Sequence, residues 1–270
     1  MFLVQCLVIA ACFVVPLAAP AEPADDLLEA LQVPAIIDIM RDEGLAYGAE
    51  MEADLMVGKA GPDWARTISR IYDTDLMYDA VRKSFGETMP EDSIPPMLAF
   101  FSSDLGQRIV SLELGARRAM VDTHVEQEAR AVFREMEMEN DPRLDTLRAF
   151  VAANDLLEAN VVGALNASYR FFLGLVDGGG FEMSEEDILA DVWSQEEETG
   201  ADTREWLYAY LNLAYGPLSD QEVEDYTALS ETRSGRALNA ALFAAFNRMY
   251  NDISYMMGLA AARQMQAQEL

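Results

Sequence analysis

The sequence predicts an all-α protein: two tandem copies of a multi-helix unit, packed as helical bundles, behind an N-terminal signal peptide. Three observations lead there. Apolar residues recur at helical spacing along most of the chain. Strand signals are scarce, with no Asn-Gly turn and no sustained apolar–polar alternation. Sliding the chain along itself until Asp26 falls on Asp155 aligns matched features, beginning with Asp26-Leu27-Leu28-Glu29-Ala30 on Asp155-Leu156-Leu157-Glu158-Ala159. The same shift pairs Trp64 with Trp193, Asp73-Thr74 with Asp202-Thr203, Gly106 with Gly235, Met120 with Met249 and Arg134 with Arg263. The expected division is a signal peptide over 1–21, a first helical repeat over 22–140 and a second over 141–270.

Residues Phe2 to Ala19 are almost wholly apolar and uncharged, and Ala19-Pro20-Ala21 precedes the acidic run Glu22 to Asp26. That is the pattern of a secretory signal. Cleavage after Ala21 and a periplasmic location are expected. The segment carries no Lys or Arg, and Ile9-Ala10-Ala11-Cys12 offers the alternative of a lipoprotein anchored at Cys12. Cys6 and Cys12 both lie in this stretch. A chain cleaved after Ala21 therefore has no disulfide, thiol nucleophile or cysteine metal site.

The net charge of -28, from 47 acids against 19 bases, repels phosphate backbones and anionic headgroups. It excludes nucleic acid and direct membrane-surface binding of the mature chain. It favours a basic partner or weak divalent cation binding. Half the residues are apolar, so the charge does not imply disorder.

In the first copy Ile36, Ile37, Met40, Tyr47, Met51 and Leu55 form one helical stripe. Gly61-Pro62 breaks it, and Trp64, Ile68, Ile71 and Tyr72 form the next. Gly86 to Pro90 reads as a turn, followed by a short helix over Ile94 to Phe101. One long helix is expected from Asp104 to Glu139, with Ile109, Leu112, Met120, Val132, Phe133 and Met136 inward. Asn140-Asp141-Pro142 ends it. The second copy starts near Arg143 and turns Leu147, Phe150, Leu157, Val161, Ala164, Phe171 and Leu175 inward. Asp177-Gly178-Gly179-Gly180 is a loop, and Ser184-x-x-Asp187 and Ser219-x-x-Glu222 mark helix starts. The last helix, Gly235 to about Gln266, is rich in small residues on several sides, as a central helix is.

Met97-Leu98-Ala99-Phe100-Phe101-Ser102-Ser103-Asp104-Leu105-Gly106 reads as a helix-to-helix corner. Ser103 caps the new amide donors and Gly106 lets two backbones approach. Asp220 to Gly235 looks like a weaker second copy, with Thr232 and Gly235 in matching places. This segment resembles the hallmark of a bacterial exported family, domain of unknown function 2059. The resemblance extends over about two thirds of the chain. It implies an all-helical envelope protein and no activity. Pro95-Pro96 departs from the pattern.

The catalytic inventory is thin. His124, the only histidine, has no nameable nucleophile or orienting partner, and its counterpart in the second copy is Ile253. Half-buried packing is expected for it. Glu185-Glu186-Asp187 and Glu196-Glu197-Glu198 are the densest acidic clusters, and Trp193, Trp206 and Tyr210 lie near enough to line a cleft. Core packing explains those aromatics equally well. Asp73-Thr74-Asp75 and Glu137 to Asp141 lack the glycine and closing glutamate of a calcium loop. The Gly178–Gly180 loop lacks the lysine of a phosphate loop. No cofactor is expected. The expected role is a non-enzymatic scaffold binding a protein or peptide partner in the envelope. The alternative is a Glu/Asp hydrolase acting on an envelope polymer.

Like-charge repulsion strains the folded chain and is screened by ions. The melting temperature should rise by a few degrees between low and moderate salt, read by circular dichroism. A flat response would mean the acids are spaced or paired.

Overall fold

The computed structural model describes residues 23–55 and 62–268. The segment expected to be a signal peptide, with Cys6 and Cys12, and Gly61 lie outside the described residues. Among the described residues are thirteen α-helices, one 3-10 turn and no strand. The first half runs α1 (Pro23–Ala30), α2 (Val33–Leu55), α3 (Pro62–Ile71), α4 (Thr74–Thr88), the turn Glu91–Ser93, α5 (Ile94–Phe101), α6 (Asp104–Ala119) and α7 (Thr123–Glu139). The second runs α8 (Arg143–Ala153), α9 (Leu156–Asp177), α10 (Glu185–Ser194), α11 (Glu196–Tyr215), α12 (Asp220–Ser230) and α13 (Arg233–Gln268).

Several starts and stops follow the local chemistry read from the sequence. Pro62 stands at the first position of α3, and Pro95-Pro96 occupy the first turn of α5, where no amide is needed. Ser184 caps α10, and Ser219 with Glu222 forms a complete capping box on α12. Asn140 closes α7 in the left-handed region at φ 52°.

Other expectations are corrected. The helix expected from Asp104 to Glu139 divides at Met120–Asp122. Met120 is buried, and the Asp122 carboxylate accepts the His124 amide at 2.9 Å, starting a new helix. The new direction turns His124 out, with its side chain 77% exposed, so it is not packing; Glu128 lies 3.5 Å away. Val132 is exposed for the same reason. Gly86 belongs to the last turn of α4, which Phe85 anchors in the core, leaving Met89-Pro90 as the link. Tyr47 and Ala164 face solvent, the core face of α9 being carried by Leu165 and Leu175.

Two main cores form, and neither stays within one half of the chain. One gathers side chains of α1 to α5 around α13, with Leu175 of α9. The other gathers α6 and α7 with α8, α11 and α12. A third, small core joins α9 to α10 through Leu165, Ile188 and Val192. The long final helix of the chain is thus seated between α4 of the first half and α9 of its own half. Helices α6 and α7 of the first half are seated on α11 of the second. Ion pairs fasten the exchange: Arg134 to Glu205 at 2.6 Å, Arg130 to Asp202 at 3.0 Å, Arg108 to Glu222 at 2.6 Å, and Arg204 to Glu137.

Helix bounds recur between the halves at two shifts. The longer shift lays Gly106 on Gly235; with it, Glu91–Phe101 coincides with α12, and the span Asp104 to Glu139 with α13. Ahead of these the shift is shorter and lays Val33 on Leu156. There Ala30 and Ala153 end helices, Val33 and Leu156 begin them, and α3 coincides with α10. Gln32 and Asp155 both take φ near 52° at the same turn. The front pairings made at the longer shift do not share helix bounds. Trp64 is buried early in α3, whereas Trp193 is 54% exposed near the end of α10. Asp73 caps α4, whereas Asp202 lies inside α11. The difference is absorbed in α11, 20 residues against 15 in α4, and in the longer link that follows it.

Glycine sets the closest helix crossing. A Cβ on Gly258 would stand 2.1 Å from the Phe171 carbonyl oxygen, and one on Gly174 2.2 Å from that of Tyr255. Gly258→Ala should therefore cost about 3 kcal/mol in chemical denaturation. Gly115 in α6 has open space around it, so Gly115→Ala should gain about 0.5–1 kcal/mol.

Candidate functional site

The two corners share one geometry. Ser103 Oγ donates to the Phe100 carbonyl at 2.6 Å and accepts the Gly106 amide at 3.2 Å. Thr232 Oγ1 donates to the Leu229 carbonyl at 2.6 Å and accepts the Gly235 amide at 3.0 Å. A Cβ on Gly106 or Gly235 would meet the Phe100 or Leu229 carbonyl oxygen at 2.2 or 2.1 Å. All four residues are engaged with backbone, so the corners turn the chain and offer no free chemistry.

The three aromatics proposed for one cleft separate into two places. Trp206 and Tyr210 stack at 5.2 Å inside the α6–α11 packing, with the Arg117 guanidinium 5.3 Å above the indole. Trp193 lines an open groove instead.

The first place contains a residue that the sequence reading missed. Glu113 of α6 accepts a 2.5 Å hydrogen bond from the Tyr215 hydroxyl, and its backbone carbonyl accepts one from Tyr210. Burial pushes the Glu113 carboxyl up to about 7 against the opposing pull of Tyr215. Burial likewise raises Tyr210, Tyr215 and Tyr226 above the ordinary tyrosine range. Arg117, one helical turn on, is held by Glu43 at 2.9 and 2.7 Å, so its charge is already matched. One signal was available: Glu113 follows Ile109 by four residues on a buried face of α6.

The second place is a groove of about 690 Å³ formed by α8, α9, α10 and the start of α11. Its floor includes Val151, Leu157, Val161 and Leu165. Asp155, Glu158, Glu196 and Glu197 rim it beside Trp193, and no basic residue lines it. The acidic clusters therefore part: Glu196 and Glu197 reach the groove, while Glu185, Glu186 and Asp187 open α10, where Glu185 accepts from Tyr169.

The calcium candidates serve the backbone. Asp73 caps α4, Asp141 accepts the Arg143 amide at 2.8 Å, and Glu137 pairs with Arg204. Among the described residues no group of three His, Cys, Asp or Glu side chains is placed to hold a metal. No described helix is long and apolar enough to cross a membrane.

The titration of Glu113 has a definite sign. The native carboxyl binds its proton more tightly than the unfolded one, so its contribution to stability is full below about pH 4.5 and is lost as pH rises towards about 7. The loss should be about 3 kcal/mol. Arg117, Tyr210, Tyr215 and Tyr226 stay in one charge state across that window. Glu113→Gln should flatten the dependence and raise stability at pH 8, read by urea denaturation across pH 4–8.

No curated protein and no solved structure matches the chain. A family match covers α4 to most of α7, including the first corner, and stops short of the second corner, so it is narrower than the sequence resemblance suggested. Residues 75–135 match the model of a family described as an uncharacterized protein conserved in bacteria (DUF2059).

Proposed function

We propose that this is an exported, periplasmic, non-enzymatic protein that binds a basic amphipathic segment of a partner in the groove beside Trp193. The observation that carries it is the pairing of an apolar floor with an all-acidic rim. Apolar side chains of a partner helix would fill the floor between α9 and α10. Its lysines and arginines would meet Asp155, Glu158, Glu196 and Glu197. An exposed tryptophan at the edge suits an anchor position. The net charge of -28 steers a cationic partner towards this surface and repels anionic ones. Export rests on the apolar run Phe2 to Ala19 and the Ala19-Pro20-Ala21 site.

In this reading the chain is two tandem copies of one helical unit, aligned at the shorter shift in front and the longer one behind. The coincident helix bounds and the identical corners support it. The groove then belongs to the second copy, beside the longer α11. The alternative, acid-based hydrolysis of an envelope polymer, draws on the same four carboxylates.

Isothermal titration of the mature chain with a lysine-rich amphipathic peptide of about 15 residues tests both. Binding should weaken about tenfold in Trp193→Ala and lose its salt sensitivity in the double variant Glu196→Gln/Glu197→Gln. Equal binding of an acidic peptide would sink the proposal. Turnover of peptidoglycan that disappears in Glu158→Gln or Glu196→Gln would favour the hydrolase.

A further inference from the structure

A cavity of about 130 Å³ lies where the two halves interlock. Both halves line it: Met97 and Tyr226 hold equivalent corner positions, as do Glu113 and Leu242 in the long helices. Most of its wall is apolar, from Leu31, Ile36, Val110, Leu238 and Phe246. In an apolar interior a cavity of about 150 Å³ takes up a benzene ring, so this one suits a smaller apolar body, of about four carbons.

One side chain makes this more than a packing defect. Glu113 lines the cavity with a carboxyl whose Oε1 takes the Tyr215 hydroxyl, while no described residue donates to Oε2. No described cation balances it, because Arg117 is bound by Glu43 and lies on Trp206. A carboxylate shielded from water without a counter-charge is disfavoured as an ion. It is relieved by a proton or by a cation delivered into the same space. The neighbouring polar groups already have partners: Asn154 Nδ2 donates to the Phe150 carbonyl and Asn239 Nδ2 to the Asn154 carbonyl. Phe101, Tyr226 and Phe246 also line the cavity, and aromatic rings suit a positive head group.

We infer that this cavity is a binding site for a small amphipathic amine, its apolar body in the cavity and its ammonium on Glu113. An anion is repelled there, and a neutral isostere lacks the ion pair. The inference is independent of the peptide groove, which is lined by other residues.

Calorimetry and thermal melting of the mature chain at pH 8 test it, with isobutylamine, isobutanol and isobutyrate as probes. Isobutylamine should bind at least tenfold tighter than isobutanol and raise the melting temperature, and isobutyrate should not bind. Glu113→Gln should remove the preference for the amine over the alcohol while keeping the protein folded. Val110→Phe, narrowing the cavity, should abolish both; if it fails to fold, Val110→Leu serves, and should weaken both. Met138→Ala, on the exposed side of α7, should change nothing. Absence of isobutylamine binding, equal affinity for amine and alcohol in the unaltered chain, or loss of amine binding in Met138→Ala would each overturn the inference.

Discussion

The seating of α13 between α4 and α9 is the constraint on which the rest of the structure depends. It needs two backbones to come together at Gly174 and Gly258, closer than any side chain permits. The buried face of α13 includes five alanines, Ala241, Ala245, Ala260, Ala261 and Ala262, which let neighbours approach on several sides. With α13 in place, Leu27, Leu28, Phe85 and Met97 of the first half are sealed from water. Once α13 fills that position, α6 and α7 pack on α11, where α7 is held by Arg130, Arg134 and Arg204. The exchange and the kink at Met120–Asp122 are parts of the same arrangement.

Much of this was legible in the sequence because it is local. The caps at Ser184 and Ser219, the prolines opening α3 and α5, and the serine and threonine corners depend on residues three or four positions apart. What failed was longer-ranged. Trp64 and Trp193 suggested a single register, but a shared residue type says nothing about position within a helix, and α11 is longer than α4. His124 was read through its partner Ile253, yet the cap at Asp122 turns it out, while Ile253 stays buried in an unbroken helix.

Glu113 was illegible for a different reason. In a chain with 47 acids one more carboxylate carries no signal. Its hydroxyl partner, Tyr215, is 102 residues away and comes near only when α6 crosses into the second core. The groove was half legible: Trp193 and the Glu196–Glu198 cluster were noticed, but the walls from α8 and α9 come from another stretch of chain. Abundance hides the important acid, and sequence distance hides its setting.

The interleaved cores also govern the order in which the chain can become compact. The contacts that close the first core join residues near the amino end to α13, far away in sequence, and such pairings are slow to form. No amino-terminal fragment can bury Leu27 or Phe85 as the whole chain does, and collapse must wait for the carboxy-terminal helix. A polypeptide of this design stays loose until α13 joins the helices it covers, so shortening α13 should loosen the amino-terminal helices as well.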